Sequence, residues 1–396
     1  MSRRKTNSVV ISEPHPFGPL ARYGGHQYAK VFARHGWEVI LFSATFNLWR
    51  RFLPNSGIDQ GYLDLWKAQG RKVDVNVTNY ALAHVLPTQL RFRAPFDQIA
   101  PGLYSPSIRS VLASHDIQQA DLLWLNGNQD WLLRRAIPHS KLLVRIIDDY
   151  SGFGVPYDNY HPLMKETLVA ADGVFACSEK VRSLYSGFYE DIELAPNGVD
   201  FEHFTQVVTE EPDAISSIPH PRITYVGAIA DWFDFDLVIV LAQRLPECHF
   251  VLFGKWSRPE PVTGSYPENV HVMGPIEYAK VPAISAFSDV AMIPFKDTEL
   301  VRGVSPIKVY EYLASRLPVV SLRWDELARE SLPIFLASNA GEFEKGILNA
   351  LSMTDEQRDA LREVVRQYSW EQRLRHMLAY LDLELDQPGR SELDRR

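Results

Sequence analysis

The stretch Ser305-Pro306-Ile307-Lys308-Val309-Tyr310-Glu311-Tyr312-Leu313-Ala314-Ser315-Arg316-Leu317-Pro318-Val319-Val320 reads as a short helix that runs into a buried strand. Ser305 suits an N-cap and Pro306 the first helical position. Pro318 breaks the helix, and Val319-Val320-Ser321 has strand composition. Lys308 is the anomaly. A cation in the first turn opposes the helix dipole, and a bound anion would remove the conflict. Lys308, Glu311 and Ser315 fall on one side, opposite Ile307, Tyr310, Leu313 and Ala314. A lysine for a diphosphate and a carboxylate for ribose hydroxyls would suit a nucleotide. A Lys and a Glu three apart also form an ordinary solvated pair, contributing about 0.2–0.5 kcal/mol. The helix alone leaves both readings open.

Outward from it, short apolar strands alternate with amphipathic helices, the pattern of parallel α/β sheets. A first set of strands covers residues 8–12, 38–43, 122–126, 142–147 and 173–177. Helices are expected at 25–35 and 163–171, the former with Tyr28, Ala29, Phe32 and Ala33 as its apolar stripe. A second set follows Asn197-Gly198-Val199-Asp200, with strands at 222–226, 249–253, 270–273, 290–294 and 318–321. Between these lie helices at 236–244 and 281–287. Residues 206–221, rich in acid, Ser and Pro, look like a linker. A helix opens at Ser369-Trp370-Glu371 and runs to about Leu383. The polar end, 387–396, is expected to be disordered.

Composition narrows the function classes. The 396 residues suffice for two domains, and 46% hydrophobic with 23% charged residues is ordinary for a globular chain. A net charge of −8 argues against a general nucleic-acid binder. Cys177 and Cys248 make neither a disulfide framework nor a metal motif. A reducing compartment fits. No apolar run approaches a transmembrane span. Met1-Ser2-Arg3-Arg4-Lys5 is basic like a leader, but Val9-Val10-Ile11 is too short for an h-region and reads as a strand. Two basic-aromatic patches, Phe46 to Leu53 and Leu90 to Phe96, suit a membrane interface or two partly packed loops.

Three further places could hold ligands. The dehydrogenase fingerprint G-x-G-x-x-G is missing after the first strand. What remains is Gly24-Gly25, with His26, at a helix start where bare amides can approach an anion or a sugar. Gly227 ends the first strand of the second half, a ligand edge in doubly wound sheets. Asp148 and Asp149 end the strand Val144-Arg145-Ile146-Ile147, where a carboxylate could act as general base or cap a loop.

These residues resemble nucleotide-sugar glycosyltransferases of the GT-B fold, over roughly residues 8 to 385. The segment from Pro306 to Val320 is similar to the family's K-x-x-E-Y-L-A-x-G-x-P-V-V donor motif. Pro196-Asn197-Gly198-Val199-Asp200 with Phe204 resembles its hinge. Ala171-Asp172-Gly173-Val174 and Phe287-Ser288-Asp289-Val290 are two more family-like stretches. Among relatives, the chain looks closest to bacterial polysaccharide enzymes of the teichuronic-acid type. It is more distantly similar to the glucuronosyltransferase of xanthan synthesis, whose Asp after an Arg-x-x strand end is the general base. The resemblance carries that role to Asp148. Departures stand beside the matches: Gly303 where retaining members have a first Glu, Arg316 for the motif glycine, and Ala228 to Trp232 where phosphate-binding Arg and Lys are usual.

The resemblance implies an α/β GT-B architecture of two Rossmann-like doubly wound domains facing a central cleft. Residues 1–200 would form the acceptor domain and 201–368 the donor domain. Residues 369–386 would form a helix crossing back, and 387–396 the tail. It implies a hexosyltransferase-type enzyme with no metal and no cofactor beyond a nucleoside diphosphate sugar. Catalysis would rest on Asp148 and Lys308. Donor binding would rest on Gly227, Ser305, Ile307, Lys308 and Glu311, and the acceptor side on Gly24, Gly25, His26 and Asp149. The acceptor would be a glycan or lipid-linked hydroxyl in cell-surface polysaccharide synthesis. The expected location is cytoplasmic, with peripheral contact at the inner membrane face. The alternative is a GT-B-shaped nucleotide or glycan binding protein that has lost catalysis, motivated by Gly303 and the missing phosphate cations.

Overall fold

A computed structural model describes residues 6–20, 22–52, 60–127, 131–148, 161–257, 265–305 and 307–385. Asp149, Pro306 and the segment 387–396 lie outside the described residues. The chain forms two compact units. The first comprises Met1–Gly18, Arg22–Pro196 and Arg373–Arg396, and the second Pro19–Ala21 and Asn197–Gln372.

In the first unit the described strands are β1 (Ser8–Glu13), β2 (Glu38–Asn47), β3 (Arg71–Asp74), β4 (Val77–His84), β5 (Tyr104–Ser105), β6 (Ala120–Asn126), β7 (His139–Ile146), β8 (Gly173–Ala176) and β9 (Ile192–Leu194). They form one sheet in the order β3-β4-β2-β1-β6-β7-β8-β9, with β5 beside β4. Only β3 and β5, both against β4, are antiparallel. Val9, Val10, Ile11, Leu122, Leu123, Val144 and Phe175 are fully buried or nearly so. Such unbroken apolar runs mark strands covered on both faces. The chain leaves β1 toward β2 and returns on its other side at β6, so the switch of direction lies between β1 and β6.

In the second unit the described strands are β10 (Arg222–Val226), β11 (His249–Phe253), β12 (Val270–Gly274), β13 (Val290–Ile293), β14 (Val319–Leu322) and β15 (Phe335–Ala337). The order is β12-β11-β10-β13-β14-β15, all parallel. The switch point lies between β10 and β13. Ligands of open α/β sheets bind outside the carboxyl ends of the strands at such points.

Two expectations are corrected. The segment 206–221 is not a bare linker, because Asp213–Ser216 is helical and Ile215 and Ile218 are buried against Val251, Phe253 and Ile284. Two isoleucines three apart are enough to pin it down. The last helix spans Trp370–Tyr380 and stops short of Leu383. Asp382 takes a left-handed φ of +55°, and the Leu383 N–H returns to the Leu378 carbonyl. Within the first unit, Tyr380 of that helix packs on Phe175 and its hydroxyl donates to Asp191. The helix at 307 is buried along its apolar side, as its pattern implies. Val309, Tyr310, Tyr312, Leu313 and Ala314 are all buried, leaving Ile307, Lys308 and Glu311 at intermediate exposure.

Candidate active site

The helix Ile307–Ala314 lies against the end of β10 in the second unit. A Cβ added at Gly227 would fall on Lys308 Cε, and would lie 2.7 Å from its Nζ and 2.9 Å from Tyr225 Oη. The lysine therefore lies across the glycine at the switch point, where only a bare backbone leaves it room. Gly254, at the end of β11, has the same constraint, since a Cβ there would strike the Gly227 carbonyl. The two loops continue in register, with the Ile229 N–H donating to Lys255 O and the Ser257 N–H to Ile229 O, each 3.0 Å.

Two tyrosines hold this edge. Tyr312 Oη accepts the Val226 N–H at 2.8 Å, and Tyr225 Oη donates to Ala228 O at 2.8 Å. Burial raises both phenols, so they stay protonated and able to donate. Sequence reasoning missed this pair, because tyrosines in an apolar stripe look like packing. Burial lowers the Lys308 pKa while Glu311 works against that shift. Glu311 is pushed up to about 7 by burial, opposed by Lys308 and reinforced by the buried Asp200. Both groups sit in a place that disfavours charge and would gain from an anion beside the lysine.

Ser305 is buried, and its neighbours explain its orientation. Its hydroxyl accepts the Asn197 N–H at 3.2 Å, and its carbonyl accepts Asn197 Nδ2 at 2.7 Å. It thus ties the start of the helix to the chain at Asn197. Ile307 and Lys308 are the first described residues of the helix, in the first turn, where backbone N–H groups lack intrahelical partners. Arg316, in the family's glycine position, keeps the glycine-like backbone with φ +64°. Its guanidinium pairs with Asp355 and Asp359.

In the first unit, Gly24 and Gly25 open the helix Gly24–Arg34. A Cβ at Gly25 would fall on Glu13 Oε2 and within 2.7 Å of Asn126 Nδ2. Glu13, not singled out from sequence, ends β1 and is 1% exposed. Its Oε2 accepts the Gly25 N–H at 3.0 Å and Asn126 Nδ2 at 3.2 Å. His26 is fully buried, with Nδ1 taking the Tyr23 N–H and Nε2 facing the His15 carbonyl. Burial pushes it down to about 3, so it is a neutral ring fastening the loop. Asp148, partly exposed, follows β7 on the same edge of the sheet. Two strand spacings of about 4.8 Å separate β7 from β1. Arg145 is buried and donates to Ala195 O at 3.0 Å.

The basic-aromatic patches are mixed. Arg91 and Phe92 are buried, and the Trp49 indole donates to Val85 O. Trp49, Leu90, Phe96 and Ile99 nevertheless remain exposed. Among the described residues no helix is long and apolar enough to cross a membrane. No three His, Cys, Asp or Glu side chains among them converge as metal ligands.

Two parallel sheets, each with a ligand edge at its switch point, define the GT-B fold of sugar transferases. Solved structures agree over the chain. Sucrose-phosphate synthase from Thermosynechococcus elongatus matches 95% of this chain and 98% of its own, at TM-score 0.62 and 15% identity. Anabaena Alr3699/HepE, solved with UDP and glucose, matches 94% and 99%, at TM-score 0.61 and 13% identity. Residues 220–353 match the family model Glycosyl transferases group 1. That match lies within the second unit. A Bacillus subtilis protein named as a teichuronic acid biosynthesis glycosyltransferase, TuaH, is 23% identical over 212 residues. That match spans 49% of this chain and about half, 52%, of the relative.

Proposed function

We propose that the chain transfers a sugar from a nucleoside diphosphate donor to a hydroxyl of a glycan or lipid-linked acceptor. The observation that carries this reading is the Lys308 ammonium against Gly227 at the switch point, with Glu311 one turn further along the helix. In this reading Lys308 and the N–H groups of Ile307 and Lys308 neutralise the departing diphosphate. Electrostatic stabilisation of this kind is usually the largest part of such catalysis. Glu311 holds ribose hydroxyls. Asp148 takes the acceptor proton if the anomeric centre inverts, and orients the sugar if it is retained. No metal is required, because the lysine and the helix start supply the positive charge. UDP with Anabaena HepE and the teichuronic role in the name of TuaH support a nucleotide-sugar donor and a surface polysaccharide product.

We also propose that Trp49, Leu90, Phe96 and Ile99, with Arg50 and Arg93 alongside, meet the cytoplasmic membrane face where a lipid-linked acceptor lies. Co-sedimentation with anionic liposomes at low salt tests this, and absence of binding rejects it. The main reading is tested by turnover over a panel of nucleoside diphosphate sugars. Lys308→Ala and Glu311→Ala should each lose most activity while melting as cooperatively as the wild type. Wild-type turnover in both variants overturns the donor-site assignment, and nucleotide binding without any turnover makes the protein a binding module.

A further inference from the structure

We propose that Glu13 is a positioning residue: a buried carboxyl group that bridges β1 to β6 at the first unit's switch point and fixes the Gly24–Gly25 turn. The geometry is specific. Ser12 pairs with Leu125, so Glu13 stands level with Asn126 across the two strands where the sheet reverses direction. Its Oε2 gathers the Gly25 N–H, which belongs to the helix start, and the Asn126 amide, which belongs to β6. One oxygen thus ties together the three elements that meet at the mouth of the sheet.

The fit is close enough that Gly25 has no room for a side chain, the nearest atoms being those two partners. The other oxygen, Oε1, is buried with no hydrogen-bond partner among the described residues. A bare buried carboxylate oxygen is costly, and a proton on it removes the charge. The groups facing the carboxyl are the His15 backbone, the Gly25 N–H, the Tyr23 phenol, the Asn126 amide and, from β7, the Arg145 guanidinium. Burial outweighs the donors and the arginine and pushes the carboxyl up to about 8. Glu13 is therefore a neutral acid at pH 7 that accepts through Oε2, and Gln can imitate it. It does not take a proton from the substrate and touches no reacting atom.

The activity arm of the test rests on the glycosyltransferase reading. The stability arm does not, so the two can fail separately. Glu13→Gln is expected to retain kcat/KM within about threefold, and Glu13→Ala to lose about 100-fold. Affinity of either variant for the nucleoside diphosphate should be unchanged, since that site is in the other unit. Wild-type activity should decline above about pH 8 as Glu13 ionises. In Glu13→Gln that alkaline limb should disappear.

For stability, the folded pKa lies above the unfolded one. The contribution is present at low pH and is lost as pH rises through about 8. The melting temperature of the wild type should thus fall between about pH 5 and about pH 8 more than that of Glu13→Gln, with no further difference in slope above about pH 8. Equal pH slopes for the two proteins overturn the neutral-acid assignment whether or not any sugar is transferred. Loss of activity in Glu13→Gln equal to that in Glu13→Ala overturns the positioning role and makes Glu13 a base or a direct ligand. If Glu13→Ala does not fold, the Gln variant and the two melting profiles still decide.

Discussion

Gly227→Ala displaces Lys308 without removing it. The added methyl would stand 2.7 Å from Nζ and overlap Cε. Such contacts relax to about 3.5 Å, so the ammonium must retreat by roughly 0.8 Å or more. A displacement near 1 Å at a charge that meets the transition state costs about 100-fold, or about 2.7 kcal/mol. Stability should suffer less than activity, because the end of a lysine is flexible, although Gly227 holds φ +159°, a backbone that a side chain strains. Tyr225 Oη, 2.9 Å from the new methyl, gives a cost of about 1 kcal/mol and a few degrees in melting temperature. The assay is kcat/KM with the active donor, together with calorimetric affinity for the nucleoside diphosphate. The double variant with Lys308→Ala isolates the mechanism. In that background the alanine should add under about 0.5 kcal/mol, since the group it displaces is gone. Additive losses, or unchanged nucleotide affinity in the single variant, would refute the idea that Gly227 exists to seat the lysine.

Asp148→Asn should lower turnover by about 10²- to 10⁴-fold with nucleotide affinity unchanged, and full turnover removes Asp148 from proton transfer. Nucleoside diphosphate binding near pH 7 should take up protons. The incoming anion occupies Lys308, weakens its hold on Glu311 and raises a carboxyl that already sits at about 7. Affinity should therefore fall as pH rises through that range, and calorimetry in buffers of different ionisation enthalpy reads the uptake directly. Equal heats in both buffers would contradict it. Gly198→Ala should cost about 1–3 kcal/mol in urea melts. Its Cβ would lie 2.7 Å from Tyr368 O, where Val199 exchanges two 3.1 Å hydrogen bonds with Tyr368 and Trp370. An unchanged midpoint would show that this junction yields easily.

Much of the fold was legible because the central strands are apolar without interruption. Arg222–Val226 and His249–Phe253 were read with their observed ends. Val77–His84 was not, since Thr78 and Asn79 break the run. Asn79 is buried all the same, its amide donating to Leu41 O and Ser43 Oγ. A polar residue satisfied by a neighbouring strand leaves no trace in local pattern. The donor helix was legible through a conflict, a lysine where the dipole disfavours one. Its supports were not, because Tyr312 reaches a backbone amide 86 residues away. Glu13 stayed hidden for a similar reason. A lone Glu before a proline looks like a loop residue until Gly25 and Asn126 close on it. Arg316 shows the opposite case: the substituted glycine was visible in sequence, while its left-handed backbone persisted regardless.

The contact between Gly227 and Gly254 sets a limit for anyone wishing to change which sugar donor is accepted. With the backbones of two loops touching, Gly254 cannot present a side chain without parting them, and a side chain at Gly227 displaces Lys308, so that floor is best left unchanged. Ala228, Lys255 and Ser257, exposed at the rim of the same loops, carry no such restriction. A library for altered donor choice should be confined to the rim, and its members should keep one phosphate-binding mode while differing in what surrounds it.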